Sequence, residues 1–119
     1  MFDQRSCNRA RRAINCLPFS DALYQDLRHQ GLDAGHFFCN RRTYQRNGRW
    51  YRHSDALEKD LLWLISVGVL RREVDGQGLT NRFRLTPLGR QILDNTPDLF
   101  IQSISWIERL RNGVRRLLS

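Results

Sequence analysis

The sequence predicts a mainly α-helical domain carrying one small β-hairpin, and three local signals predict it. The stretch SDALEKDLLWLISVGVL, starting at Ser54, has apolar residues at helical spacing and runs into a stop at Gly68. Two short arginine-bearing segments, Leu70 to Val74 and Arg82 to Leu85, flank Asp75-Gly76-Gln77-Gly78, whose glycines admit the positive φ angles of a loop tip. Thr86-Pro87 and Thr96-Pro97 each join a capping side chain to a proline suited to the first helical turn.

Taken in order, residues 3–16 read as a short amphipathic helix. Cys7, Ala10, Ile14 and Leu17 recur at steps of three and four, while Arg5, Arg9, Arg11 and Arg12 lie mostly elsewhere. Pro18 stops it. Ser20 is expected to cap a second helix, with Asp21 at its positive end and Phe19 stapled onto Tyr24. That helix reaches about Gln30, where Gly31 supplies the stop. The span from Ala34 to Ser54 has two readings. In the favoured one, His36 to Cys39 is extended, Asn40 caps a small helix to about Asn47, and Gly48 to His53 turns into the next helix. In the other, TYQR and RWYR are strands joined by Asn47-Gly48, the pair best suited to a type I′ turn.

From Ser54, taken as a cap, Leu57, Leu61, Leu64 and Ile65 form the buried stripe of a helix. In the hairpin, Arg82 and Arg84 share one face and leave Phe83 and Leu85 for the core. Thr86 starts a short helix to about Asp94, and Pro97 opens a last helix, residues 97–118, with two apolar stripes. The echo of SDALYQDL at Ser20 in SDALEKDL at Ser54 has unmatched flanks and is read as one capping solution used twice, not a repeat.

Composition narrows the function classes. A chain of 119 residues is expected to form a single domain, 1–119. Its net charge is +8, and all basic residues but Lys59 are arginine, whose planar fork suits phosphate. The longest apolar runs fall far short of the roughly 18 residues of a membrane span, and the arginine-rich start lacks the apolar core of a secretory signal. A cytoplasmic protein, nucleoid-associated if it binds DNA, is expected. Cys7, Cys16 and Cys39 form no CxxC pair and fit reduced thiols; His36 and Cys39 have metal-compatible spacing but no second ligand pair, so no metal or other cofactor is expected. The sequence has no HxxxH, GxSxG or P-loop pattern, and an enzyme is not expected.

The most specific pattern is LLWLISVGVLRRE, the glycine-bearing tip, and NRFRLTPLGRQIL. It resembles the second half of a winged helix-turn-helix domain of the kind found in MarR-like and PadR-like regulators. These share a helix ending in Leu-x-x-x-Gly-Val/Leu-Leu, a β-hairpin wing and Leu-Thr-x-x-Gly-x-x-Leu. The resemblance covers about residues 20–93, with residues 3–16 and 97–118 as added helices. It implies a recognition helix from Ser54 to Val67, a wing from Leu70 to Leu85, and duplex DNA as the partner of a transcriptional or mobile-element regulator.

On that footing the candidate DNA-binding residues are Arg41, Arg42, Arg46, Arg49, Arg52, His53 and Ser54 before and at the start of the helix. Lys59 on the helix and Arg71, Arg72, Arg82 and Arg84 on the wing complete the set. The resemblance further implies a homodimer through the last helix, with Phe100, Ile104, Trp106, Ile107 and Leu110 at the interface. One feature departs from the pattern: the solvent side of the recognition helix carries Asp55, Glu58 and Asp60, which phosphates repel. This keeps open a protein-interaction module, an adaptor or inhibitor, that docks a partner on these acids. An RNA or single-strand binder stacking bases on Trp50 and Tyr51 is a further alternative.

Overall fold

The computed structural model describes residues 2–96 together with Leu99 and Phe100. The chain is mostly helical, with a small two-stranded antiparallel hairpin. Its elements are helices α1 (Gln4–Cys16), α2 (Asp21–His29), α3 (Ala34–Cys39), α4 (Arg41–Tyr44) and α5 (Ser54–Ser66), strands β1 (Leu70–Asp75) and β2 (Gly78–Leu85), and helix α6 (Pro87–Asn95).

Local chemistry accounts for most boundaries. Asp3 caps α1 by accepting from the Ser6 amide at 2.7 Å, and the stripe Cys7, Ala10, Ile14, Leu17 is buried as the periodicity predicts. Phe19 packs on Tyr24 with ring centroids 6.4 Å apart. Gly68, at φ +87°, ends the helical run after α5. Thr86 accepts from the Gly89 amide at 3.0 Å, and Pro87 occupies the first turn of α6.

Several expectations are corrected. Ser20 does not cap α2 with its side chain; its hydroxyl instead donates to the Thr43 carbonyl at 3.1 Å, tying the start of α2 to α4. Ser54 is the first residue of α5, with His53 at the cap position and no side-chain cap there. Gly31 does not end α2 by a left-handed turn, since the chain leaves the helix extended at Gln30. Gly31 is needed for space: a β-carbon there would overlap the Glu73 carboxylate and lie 3.2 Å from Cβ of Arg82. His36 to Cys39 is helical, because Asp33 caps it by accepting from the His36 amide at 2.8 Å. The following helix stops at Tyr44, and the hairpin reading survives only at its turn. Asn47 and Gly48 have φ of 58° and 73°, and Arg46 and Arg49 form a single antiparallel bridge.

The hairpin register pairs Leu70 with Leu85, Arg71 with Arg84, Arg72 with Phe83, Val74 with Leu79 and Asp75 with Gly78. Between Arg72 and Val74 strand β1 advances two residues while β2 advances from Phe83 to Leu79, so the extra residues lie in β2 and β1 stays regular. On its other side β2 meets Leu32. The Leu32 amide donates to Phe83 O at 3.2 Å, and the Phe83 amide donates back to Leu32 O at 2.7 Å. The order across the sheet is therefore Leu32, β2, β1.

One core unites the elements. Leu23, Tyr24 and Leu27 of α2, Phe37 of α3, Leu57, Leu61 and Leu64 of α5, Phe83 and Leu85 of β2, and Ile92 of α6 are all buried in it. Arg28 joins α2 to Asp94 of α6 at 2.7 Å. The expected helix over 97–118 lies outside the described residues except for Leu99 and Phe100, where the chain is in a turn.

Candidate functional site

The segment between α3 and α5 is held against the α1–α2 corner. The Ser20 amide donates to Tyr44 O at 2.9 Å, the Arg46 amide donates to Pro18 O at 3.0 Å, and Phe19 bridges Gln45. Trp50 and Tyr51 pack on the Phe19 ring, at 6.1 and 5.8 Å between centroids. The two aromatics considered for base stacking thus spend ring surface on the core, and Tyr51 donates its hydroxyl to Asp60 at 2.6 Å. Aromatic packing fixes the segment's path and turns several arginines outward.

Arg41, Arg42, Arg52, His53 and Ser54 are exposed, and Arg49 is half-buried. Among the described residues, Arg41, Arg42 and Arg52 have no carboxylate within ion-pair distance. They lead into the first turn of α5, whose amides no side chain caps. Guanidinium groups and open amides at a helix N-terminus are chemistry for an anion such as phosphate.

Arg46 is corrected as a candidate. It is buried, its guanidinium donating to Asn15 O at 3.1 Å and Leu99 O at 3.5 Å while lying over the Phe100 ring at 5.4 Å. Burial lowers its pKa. It staples the end of α1 to the Leu99–Phe100 turn, so it is structural.

The hairpin arginines are divided in role by Glu73, which the sequence did not single out. Glu73 accepts from Nε of Arg82 at 2.8 Å and lies 3.6 Å from Arg84. The hydrogen bond from Arg82 holds the Glu73 carboxyl below its ordinary value, with Arg82, Arg84 and Arg71 adding Coulombic attraction. Arg84 also reaches the Arg28 carbonyl at 3.4 Å. Arg72 lies over Phe83 at 5.7 Å, which leaves Arg71 the exposed arginine of β1. A signal for Glu73 was present: pairing Leu70 with Leu85 brings position 73 level with Arg82.

Asp55, Glu58 and Lys59 are exposed on α5, beside Leu62, which is 39 % exposed; Asp60 is half-buried beneath Tyr51. Of the expected dimer contacts, Ile104, Trp106, Ile107 and Leu110 lie outside the described residues. Phe100 packs on Tyr24 of its own chain at 5.6 Å between centroids.

A second polar cluster has no sequence signature because its members come from three elements. Tyr44 donates to Asp26 at 2.7 Å, so its oxygen accepts from Nε2 of His36, 2.9 Å away, which fixes that proton on Nε2. Burial, and then Asp26, push the Tyr44 phenol up to about 12. Among the described residues no three His, Cys, Asp or Glu side chains come together as a metal site, and no helix is long and apolar enough to cross a membrane.

No curated protein and no solved structure matches this chain. A family described as Npun_F0494-like matches residues 1–116, nearly the whole sequence, and the chain belongs to that family.

Proposed function

We propose that this protein is a winged-helix DNA-binding protein, acting as a transcriptional or mobile-element regulator, that grips duplex DNA mainly through arginine–phosphate contacts. The observation that carries the reading is the exposed, acid-free run Arg41, Arg42, Arg52 and His53 leading into the uncapped first turn of α5. Support also comes from element order. Helix α2, an isolated bridge at Leu32, helices α3, α4 and α5, and a hairpin whose β2 is flanked by Leu32 and β1 come in an order that a winged helix could use.

The mode differs from ordinary major-groove reading. Asp55 and Glu58 on the exposed side of α5 disfavour deep insertion, and Glu73 already neutralises much of Arg82 and Arg84. The segment before α5 carries the phosphate contacts, with Arg71 adding to them, and base discrimination is modest.

Fluorescence anisotropy with random duplex, single-stranded DNA and RNA at two salt concentrations tests this. Duplex affinity falls steeply with salt, each phosphate contact contributing about 0.9 to the log–log slope. Replacing Arg41, Arg42 and Arg52 together by Gln removes up to about 3 units of that slope. Salt-insensitive binding, or none to duplex, overturns the proposal. A second reading is favoured by one observation, the exposed Asp55, Glu58, Leu62 stripe on α5: a surface that docks a basic protein partner. It predicts that the triple Gln variant leaves partner binding intact.

A further inference from the structure

β1 lies at the outer side of the sheet. Among the described residues β2 is paired on both sides, by β1 and by Leu32, whereas β1 is paired on one side only. Which of its backbone groups point outward follows from the register. The Thr86 amide donates to Val69 O at 3.0 Å, placing residue 69 in an inward-facing pair, and antiparallel pairing then alternates. The two-residue tip Gly76-Gln77 makes Asp75 and Gly78 the closing pair, which also faces inward. Both ends agree because β1 carries no extra residue. Leu70, Arg72 and Val74 therefore direct their amides and carbonyls away from β2. Among the described residues, the donor to the Arg72 carbonyl is its neighbour's guanidinium, Arg71 Nη1, at 3.4 Å.

The order of charges along this edge is Arg71, Arg72, Glu73, Val74, Asp75, basic first and acidic last. Against a second, antiparallel copy of itself, such an order brings opposite charges together. A two-fold axis through Glu73 pairs Arg71 with Asp75 of the other copy, and Arg72 with Val74. This register uses the outward-facing backbone groups of residues 72 and 74 on both chains. Each Glu73 stands near the axis with Arg82 and Arg84 already on it, which offsets the like-charge approach. The exposed apolar pair Val74 and Leu79, 62 % and 73 % exposed, lies on the face that the aliphatic stem of the other copy's Arg72 covers.

We infer that the β1 edge is a self-association surface, pairing antiparallel with β1 of a second copy through a two-fold axis at Glu73 with reciprocal Arg71–Asp75 ion pairs. The inference does not depend on DNA binding. It concerns other residues than those the sequence placed at a dimer interface.

The test is sedimentation equilibrium of the full chain without nucleic acid, far-UV circular dichroism confirming the fold of each variant. The wild type is expected to reach the mass of two chains. Arg71→Asp and Asp75→Arg each turn two attractive pairs into repulsive ones and weaken the dimer about tenfold, whereas the double swap restores it. Val74→Pro gives an independent check: its amide points away from β2, so the hairpin tolerates proline while the intermolecular ladder loses a donor at each end. A monomeric wild type overturns the inference. So does a dimer indifferent to both single swaps, a double swap that fails to restore association, or a folded Val74→Pro variant that dimerises unchanged.

Discussion

Gly31 and Gly89 both occupy places where a β-carbon has no room, yet alanine should cost different amounts at the two. At Gly89 the added carbon would sit 2.7 Å from the Val69 carbonyl oxygen and 2.7 Å from Leu85 Cδ1, so helix and strand must part. Gly89→Ala is expected to lower stability by about 2–3 kcal/mol in urea unfolding, the upper part of the range for overpacked core sites. At Gly31 the obstacle is mainly the Glu73 carboxylate, the far end of a side chain that can swing away by giving up Arg82. Gly31→Ala should cost about 1 kcal/mol, and most of that cost should disappear in a Glu73→Ala background, leaving only the tight approach to Arg82 Cβ. Tyr44 offers a residue-scale test by pH. Its folded pKa is raised from 10.0 to about 12, so its contribution is fully present below pH 10 and is lost as pH rises through about 12. Stability measured between pH 9 and 12 should fall more steeply in the wild type than in Tyr44→Phe.

At the scale of elements, Glu73 offsets part of the hairpin's positive charge by standing among Arg71, Arg82 and Arg84. The depressed Glu73 pKa makes its contribution present above pH 4.5, the ordinary value, and lost as pH falls through the lower folded value. Glu73→Gln should flatten that acid limb in unfolding curves. If the hairpin lies near DNA, the same substitution releases Arg82 and Arg84 and steepens the salt dependence of duplex binding; an unchanged slope would place the hairpin away from the phosphates. The elements legible in the sequence were those set by neighbours along the chain. Thr86-Pro87, Gly68 and the alternation Arg82, Phe83, Arg84, Leu85 each carry their instruction within a few residues. Elements set by distant partners were misread, and so was α3, although its cap Asp33 is local. Tyr44 ends α4 because its phenol must reach Asp26 and its carbonyl Ser20, contacts that no local spacing encodes.

Over the whole molecule, a net charge of +8 says little about where an anion would lie until burial and pairing are subtracted. Arg46 and Arg41 look alike in sequence, but the first is sealed under Phe100 and the second faces solvent. What was legible was the acid-free span before α5. The sorting of its arginines was not, because it depends on aromatic side chains folding back onto Phe19. The contact between Leu32 and Phe83 has a consequence for the timing of motion. Besides the hairpin's chain connections to α5 and α6, the two reciprocal Leu32–Phe83 hydrogen bonds tie its backbone to the helical body, alongside the Arg84 contact to the Arg28 carbonyl. The Leu32 and Phe83 amides should therefore exchange with deuterium at a common rate, set by the opening of that shared backbone pair, while the outward amides of Arg72 and Val74 exchange earlier.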